Sequence, residues 1–498
     1  MRGLGVVGCR RLGLAGSLGV GAGGWAAGRL PAHDPWGWWT ERGHAVTTAG
    51  TVLVYAGLTA LVVAWWAYGR TGASVRHTLV TLTWWVAPLL LVPPLYSADV
   101  YSYVAQGAMV LEGHDVYSQG PSVLDPGGFA GDAAASVGGH WSDTPAPYGP
   151  FFLLLARGAA ALTGGTLVPA VLVLRLAAVA ALLLIVWAVR RLAREYGADE
   201  SGALRLAALN PLLLIHVVGG AHNDGLMAGL ALAGAVCALR GRWVLGAVLI
   251  GLAMMVKSPA GLALLFVGVM VGRSSAGSPA RRIARGAFGP GLVAAATVLL
   301  VSVVSGTGFG WLHTQGVAAA IHTWLSLSSD LGAGLGALAH LATGADGDTV
   351  KSAVQLLGLA AAGALIARLG WRSATGRLDP VLALGLALTA LVVLSPMVQP
   401  WYVLWGVPFV AVRACRGPAG QGLAALSAAL VYETHPSGST PGIGFAVAGA
   451  VAVAGVLLLR REAAADRLGS EGGGGIGVPG PRRADGVREG VRAGAASV

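Results

Sequence analysis

Long apolar runs, repeated from one end of the chain to the other, restrict what this sequence can fold into more than any other feature. Ala45 to Tyr68, Pro169 to Val189, Phe288 to Ser305 and Gly442 to Leu459 are examples. A helix that crosses a bilayer needs about 20 predominantly apolar residues, and its backbone polar groups must be satisfied within the helix. Charge content agrees with this: 55% of the 498 residues are hydrophobic and only 11% are charged, against roughly 25% charged in soluble domains. So few polar groups cannot cover a water-facing surface, which excludes a soluble multidomain chain. The sequence predicts an all-α polytopic membrane protein.

Arginine placement supplies an expected topology, because cytoplasmic loops carry an excess of basic residues. Arg2, Arg10 and Arg11 precede the first apolar stretch, and Arg70 and Arg76 follow the second. No Lys or Arg then occurs until Arg157, while Asp99, Glu112, Asp115, Asp125, Asp132 and Asp143 fall in the gap. Residues 96–166 are therefore expected as a large first outer loop. Arginine clusters at 190–205, 240–242, 273–285, 368–377, 413–416 and from 460 onward alternate with apolar stretches at 206–239, 243–272, 288–367, 378–412 and 417–459. The pattern predicts about fourteen spans in a plasma-membrane protein with both termini cytoplasmic. Tyr148 to Thr163 is apolar but carries Arg157 at its middle, which suits a re-entrant helix on the outer side. Residues 306–350 hold no basic residue and are expected as a second outer loop. Residues 1–460 form one multi-span domain, and 461–498, rich in Gly, Arg and Ala, are expected as a disordered cytoplasmic tail.

The net charge of +11 reflects this loop bias, and with no soluble basic domain a nucleic-acid partner is excluded. Cys9, Cys237 and Cys415 are scattered and form no CxxC pair, so neither a disulfide framework nor a zinc site is implied. No cofactor is called for, and a divalent metal stays open.

Function is expected where ionisable groups gather, since they are costly near a membrane. Asp99 follows the third span and can be a helix cap or a general base; Tyr103 and Gln106 share its helical face. Gly219-Gly220-Ala221-His222-Asn223-Asp224 reads as a tight connection between helices or as a substrate pocket on the same side as Asp99. His216 precedes it at a spacing unlike a metal pattern. Lys257 is one of two lysines, with Lys351; it can snorkel to the interface or hold a phosphate as a point charge. Arg157 and Arg175 are the other cations in the outer half and are candidate phosphate ligands. Trp141, Tyr148, Trp311, Trp324, Gln399, Trp401 and Tyr402 suit either an interfacial belt or stacking on sugar rings.

Five segments occur in a recognisable order. They are Asp99-Val100-Tyr101-Ser102-Tyr103, Thr144-Pro145-Ala146-Pro147-Tyr148-Gly149-Pro150, Leu209-Asn210-Pro211 with Gly219 to Asp224, Val256-Lys257-Ser258-Pro259, and Val398-Gln399-Pro400-Trp401-Tyr402. From about residue 10 to residue 460 the chain resembles the polyprenol-phosphomannose-dependent α-1,6-mannosyltransferases of actinobacteria, in the C-type glycosyltransferase superfamily. The resemblance implies inverting transfer of mannose from a polyprenyl-phosphate-mannose donor to a mannan or lipomannan acceptor at the outer face of the plasma membrane. It implies Asp99 as the catalytic base. Lys257, Arg175 and Arg157 would hold the donor phosphate, and Tyr103, Gln106, Tyr148, His222, Asn223, Asp224, Gln399, Trp401 and Tyr402 would line the pocket. Where the family usually carries Asp-Pro-Tyr, this chain has Asp115-Val116-Tyr117, which puts that turn's geometry in doubt. A sister enzyme using a polyprenyl-phosphoarabinose donor, a protein mannosyltransferase, and a non-catalytic sugar-lipid transporter remain as alternatives. A transporter would place ionisable groups near the bilayer midplane and show repeat symmetry.

Overall fold

The computed structural model describes residues 4–316, 323–440 and 442–472, and among them all regular structure is helical. The chain opens with the antiparallel pair α1 (Val6–Ala27) and α2 (His44–Tyr68). They touch along glycines: a Cβ on Gly16 would lie 2.7 Å from the Gly57 carbonyl oxygen, and one on Gly23 would lie 2.4 Å from that of Gly50. Small residues let apolar helices approach this closely, so that packing replaces the missing hydrophobic drive. Ser74 caps α3 (Val75–Val86) by accepting from the His77 N–H.

Three helices lie within residues 96–166: α4 (Asp99–Glu112), α5 (Gly131–Val137) and α6 (Pro150–Leu162). The expected outer loop thus alternates helix with extended connections. Its 150–162 helix lies on α4, where a Cβ on Gly107 would come 2.3 Å from the Ala156 carbonyl oxygen.

The long α7 (Leu167–Glu195) leads to α8 (Glu200–Ala207) and α9 (Pro211–Leu213), which widens into a π-type turn over Leu214–Gly219. The chain bends by 45° between α8 and α9. Asn210 makes that break: its side chain accepts from the Leu212 N–H at 3.0 Å, while Pro211 cannot continue the preceding helix. Two hairpins follow, α10 (Asp224–Leu239) with α11 (Trp243–Met254) and α12 (Leu262–Ser274) with α13 (Pro279–Val304). A third joins α14 (Leu327–Thr343) to α15 (Gly347–Ala374), and α16 (Pro380–Leu394), α17 (Val407–Ala414), α18 (Pro418–Leu430) and α19 (Gly442–Gly472) complete the chain.

Among the described residues, five helices are long and apolar enough to cross a membrane: α2, α7, α13, α15 and the Gly442–Arg461 part of α19. The count reaches six if the bent α8–α9 pair is one span, and five further apolar helices are 10–17 residues long. This measure stops short of the expected fourteen or so crossings, each needing about 20 residues, because several apolar runs form short helices that break in mid-run. Large apolar side chains such as Leu292, Leu299, Leu300 and Leu356 face outward, as apolar helices in lipid do.

Two expected segments carry helix. Residues 306–350 are not simply a loop, since α14 packs back on α15 across Gly336 and Gly347, whose backbones leave no room for a Cβ on Gly336. The tail expected to be disordered from 461 continues α19 as far as Gly472, and residues 473–498 lie outside the described residues.

The molecule has two chemically different ends. One is knitted by arginine: Arg190 and Arg194 pair with Glu200, Arg416 with Asp199 at 2.6 Å, and Arg413 with Asp379 at 3.5 Å. Helices α12 and α16 each link that end to residues at the other, where a cavity opens.

Candidate active site

A cavity of about 490 Å³ gathers side chains from seven stretches of the chain. Of the residues singled out in the sequence, Asp99, Tyr148, Lys257, Gln399, Trp401 and Tyr402 line it, and so do Arg29, Ser97, Trp405 and Ser437.

Asp99 begins α4, but its carboxylate does not cap the helix. The N-cap position is Ala98, and the Ser97 Oγ, just outside the helix, accepts from the Asp99 N–H at 3.0 Å. That frees the carboxylate to face the cavity with its side chain 26% exposed, while His222 behind it is fully enclosed, Nδ1 lying 3.4 Å from Asp99 Oδ2. Burial pushes the carboxyl upward, but the His222 imidazole, the Ser97 hydroxyl and the Lys257 charge outweigh it and hold Asp99 below the usual carboxylate value. Asp99 is therefore an anion at neutral pH, in reach of whatever fills the cavity.

His222 is held by rings. Its centroid lies 4.0 Å from that of Trp401 and 5.7 Å from that of His216, and His216 in turn lies 5.3 Å from Tyr96. Tyr96 and Ala221, close before Asp99 and His222 in the chain, both have positive φ, 66° and 54°. Left-handed backbone at a non-glycine residue is strained and persists where the surroundings enforce it. Here it turns the two site segments toward each other.

Asp224, at the start of α10, is buried and doubly engaged. It accepts from Trp405 Nε1 at 2.7 Å and from Lys257 Nζ at 2.7 Å. Lys257 also lies over the Tyr402 and Tyr148 rings, 5.0 and 5.8 Å from their centroids. Gly149 permits this approach, since a Cβ there would fall 2.6 Å from the Met255 backbone. Tyr103 packs edge-on against Tyr148 and Phe152, and Gln106 donates to Ser102 at 3.0 Å. Tyr103, Gln106, His222, Asn223 and Asp224 thus stand behind the lining residues rather than among them.

Two expected phosphate ligands are not part of this wall. Arg157 is exposed on α6 away from the cavity. Arg175 is buried in α7 and donates to the carbonyls of Leu90, Val92, Val218 and Gly219. It clamps three chain segments together, so its N–H groups are committed before any ligand arrives. The turn at Val116 is closed without the proline: the Asp115 carboxylate accepts from the Tyr117 N–H, and the Gln119 N–H donates to the Asp115 carbonyl. Among the described residues no group of three or more His, Cys, Asp or Glu has a geometry that could hold a metal ion.

Comparison with known proteins fits this arrangement. Residues 10–273 match the profile of the alpha-(1->6)-mannopyranosyltransferase N-terminal domain, and residues 328–460 match that of the MptB C-terminal domain. The chain belongs to the alpha-(1->6)-mannopyranosyltransferase family. A probable alpha-(1->6)-mannopyranosyltransferase of Mycolicibacterium smegmatis is 37% identical over 410 residues, 74% of this chain and 72% of that one. Alpha-(1->6)-mannopyranosyltransferase A of Mycobacterium tuberculosis is 34% identical over 86% of this chain and 84% of its own. Alpha-(1->6)-mannopyranosyltransferase B of Corynebacterium glutamicum is 33% identical over 86% and 77%. No solved structure matches the chain. In this family member the site residues that sequence reasoning missed include Arg29, Ser97, Trp405 and Ser437. Ser97 and Trp405 each sit within a few residues of a recognised motif, whereas Arg29 follows α1 in a segment with no motif.

Proposed function

We propose that this protein transfers mannose, with inversion, from a polyprenyl-phosphate-mannose donor to an α-1,6-mannan or lipomannan-type acceptor at the outer face of the plasma membrane. The observation that carries the reading is Asp99, an ionised carboxylate facing a cavity whose lining also includes Arg29, Lys257 and the rings of Tyr148, Trp401 and Tyr402. Asp99 takes the proton of the acceptor hydroxyl as its oxygen forms the new bond to the sugar C1. The C1–O bond to phosphate breaks, and its electron pair leaves on the phosphate. That leaving group is already an anion and needs electrostatic stabilisation rather than an acid, so one base suffices, unlike the two carboxylates of glycoside hydrolysis. Trp401, Tyr402 and Tyr148 offer apolar faces for sugar rings. The orientation rests on the arginine-rich end lying in the cytoplasm.

Transfer from radiolabelled polyprenyl-phosphomannose to a short α-1,6-mannoside, in membranes containing wild type or Asp99→Asn, tests the reading. We expect the variant to fold and bind donor yet lose about 10²- to 10⁴-fold in rate, the usual range for a general base. Wild-type rates in Asp99→Asn would remove the base assignment, and wild-type activity with an arabinose donor alone would move the sugar. Lys257 is a poor first target: breaking a buried ion pair costs roughly 3–5 kcal/mol, so its loss would confuse folding with binding.

A further inference from the structure

Among the described residues lining the cavity, two are cations, Lys257 and Arg29, and they are in different states. The Lys257 ammonium is matched by the enclosed Asp224 carboxylate at 2.7 Å, so that pair is neutral as a unit. Arg29 has no such match. Its Nε is buried without a hydrogen-bond partner, and no ion pair or hydrogen bond of its guanidinium occurs among the described residues. Buried polar groups are nearly always paired, and an unpaired one on a cavity wall calls for an explanation. For a permanently charged guanidinium, the partner that would supply it is an anion.

The backbone holds Arg29 in place for this. Its N–H donates to the Pro94 carbonyl at 2.7 Å, and its own carbonyl accepts from the Tyr101 hydroxyl at 2.5 Å. A Cβ on the preceding Gly28 would lie 2.6 Å from the Gly24 carbonyl oxygen, so the chain leaves α1 along one path. The guanidinium Nη2 lies against Gly138, where a Cβ would come within 3.0 Å of it. Gly138, at φ 70°, lines the same cavity; a side chain there would stand where the fork reaches.

We propose that Arg29 is the anion anchor of the site. Its forked N–H groups take two oxygens of the donor's phosphate and keep them as the sugar leaves. This rests on the phosphate-linked donor proposed above. A guanidinium matches phosphate with two parallel bonds where an ammonium offers a point charge. The bond-breaking step raises the phosphate from a singly charged diester to a doubly charged monoester. An anchor of fixed charge therefore binds the departing state more tightly than the ground state, and so contributes to rate as well as affinity.

Farnesyl phosphate, a short polyprenyl phosphate, is a suitable probe, with farnesol as its uncharged control, against the full-length protein in detergent. Arg29→Gln should bind farnesyl phosphate about 10- to 100-fold more weakly, the range for a lost charge-assisted hydrogen bond, and bind farnesol as wild type does. Arg29→Lys, which keeps the charge and the stem, should recover part of the loss and decides the matter if the Gln variant does not fold. Asp99→Asn should bind the probe undiminished. Turnover of Arg29→Gln should fall beyond the change in donor KM. Unaltered farnesyl phosphate binding in both Arg29 variants would overturn the assignment alone. A wild type that ignores farnesyl phosphate and transfers nothing from a lipid-phosphate donor would overturn the donor reading together with it.

Discussion

At the Asp99 carboxylate two influences oppose each other. Enclosure favours the neutral acid, whereas His222, Ser97 and Lys257 favour the anion and prevail. His216, Tyr103, Tyr148 and Tyr402 complete the titratable groups around it. A lowered carboxyl pKa adds stability above the unfolded value, which is lost as pH falls through the folded one. For activity the same sign holds: with the group below its ordinary value of about 3.9, wild-type transfer should not fall with this group between neutral pH and about pH 5. Replacing His222 by Ala removes an anion-favouring neighbour and leaves the burial, so the acid limb of the rate profile should move up in pH. Profiles of kcat from pH 4.5 to 8 check this: kcat of the variant should fall at the acid end while that of wild type stays level, and a level acid end in both would show that His222 only fills space. Much of this neighbourhood is legible in the sequence, because Asp99, Lys257 and the Gln399 to Tyr402 run carry costly or aromatic side chains in ordered motifs. The arginines are not legible in the same way. Arg29, Arg157 and Arg175 look alike as letters, and only their neighbours separate a free guanidinium from one lodged among four carbonyls.

Between helices, glycine decides how close two backbones come. The sequence has 78 glycines, and their spacing shows no repeat that would tell a crossing point from a turn. Two mid-helix positions separate the cases. Gly57 in α2 meets α1 so closely that a Cβ would lie 2.6 Å from the Gly16 carbonyl oxygen, whereas Gly363 in α15 has nothing within 4 Å. At Gly363, Ala should stabilise by about 0.5–1 kcal/mol, the helix-propensity difference. At Gly57 the same methyl must push two backbones apart, an overpacking cost of about 1–3 kcal/mol that outweighs the propensity gain. Thermal unfolding of the purified variants should therefore shift in opposite directions, and a rise for both would mean that the α1–α2 crossing yields easily. The helical α14 escaped the sequence reading for a related reason. Gly332, Gly334 and Gly336 weaken helix propensity in its middle, although Leu and Ala fill much of the rest, and the structure holds it through Ser326 at its N-cap and packing on α15.

Across the whole molecule, every segment that lines the cavity comes from a stretch between arginine clusters, and the clusters themselves lie at the far ends of the connecting helices. The sequence therefore shows which connections share a side, because loop charge is written locally. It shows crossing lengths less well, since the break at Lys257 sits among Asp224, Tyr148 and Tyr402, all distant in sequence. If the arginine-rich end is cytoplasmic, the two ends must differ in reactivity from outside the cell. Gly120, though in the outer segment, is a poor reporter, because a Cβ there would lie 2.3 Å from the Asp143 carbonyl carbon. Ser118 is exposed beside it and differs from cysteine by one atom, and Ala276, beyond Arg273, is exposed between α12 and α13. With Cys9, Cys237 and Cys415 replaced, Ser118→Cys in intact cells should react with a membrane-impermeant maleimide, and Ala276→Cys should react only after permeabilisation. The reverse pattern would put the cavity on the cytoplasmic side. It would then remove the outer-face assignment while leaving the roles of Asp99 and Arg29 to their own tests.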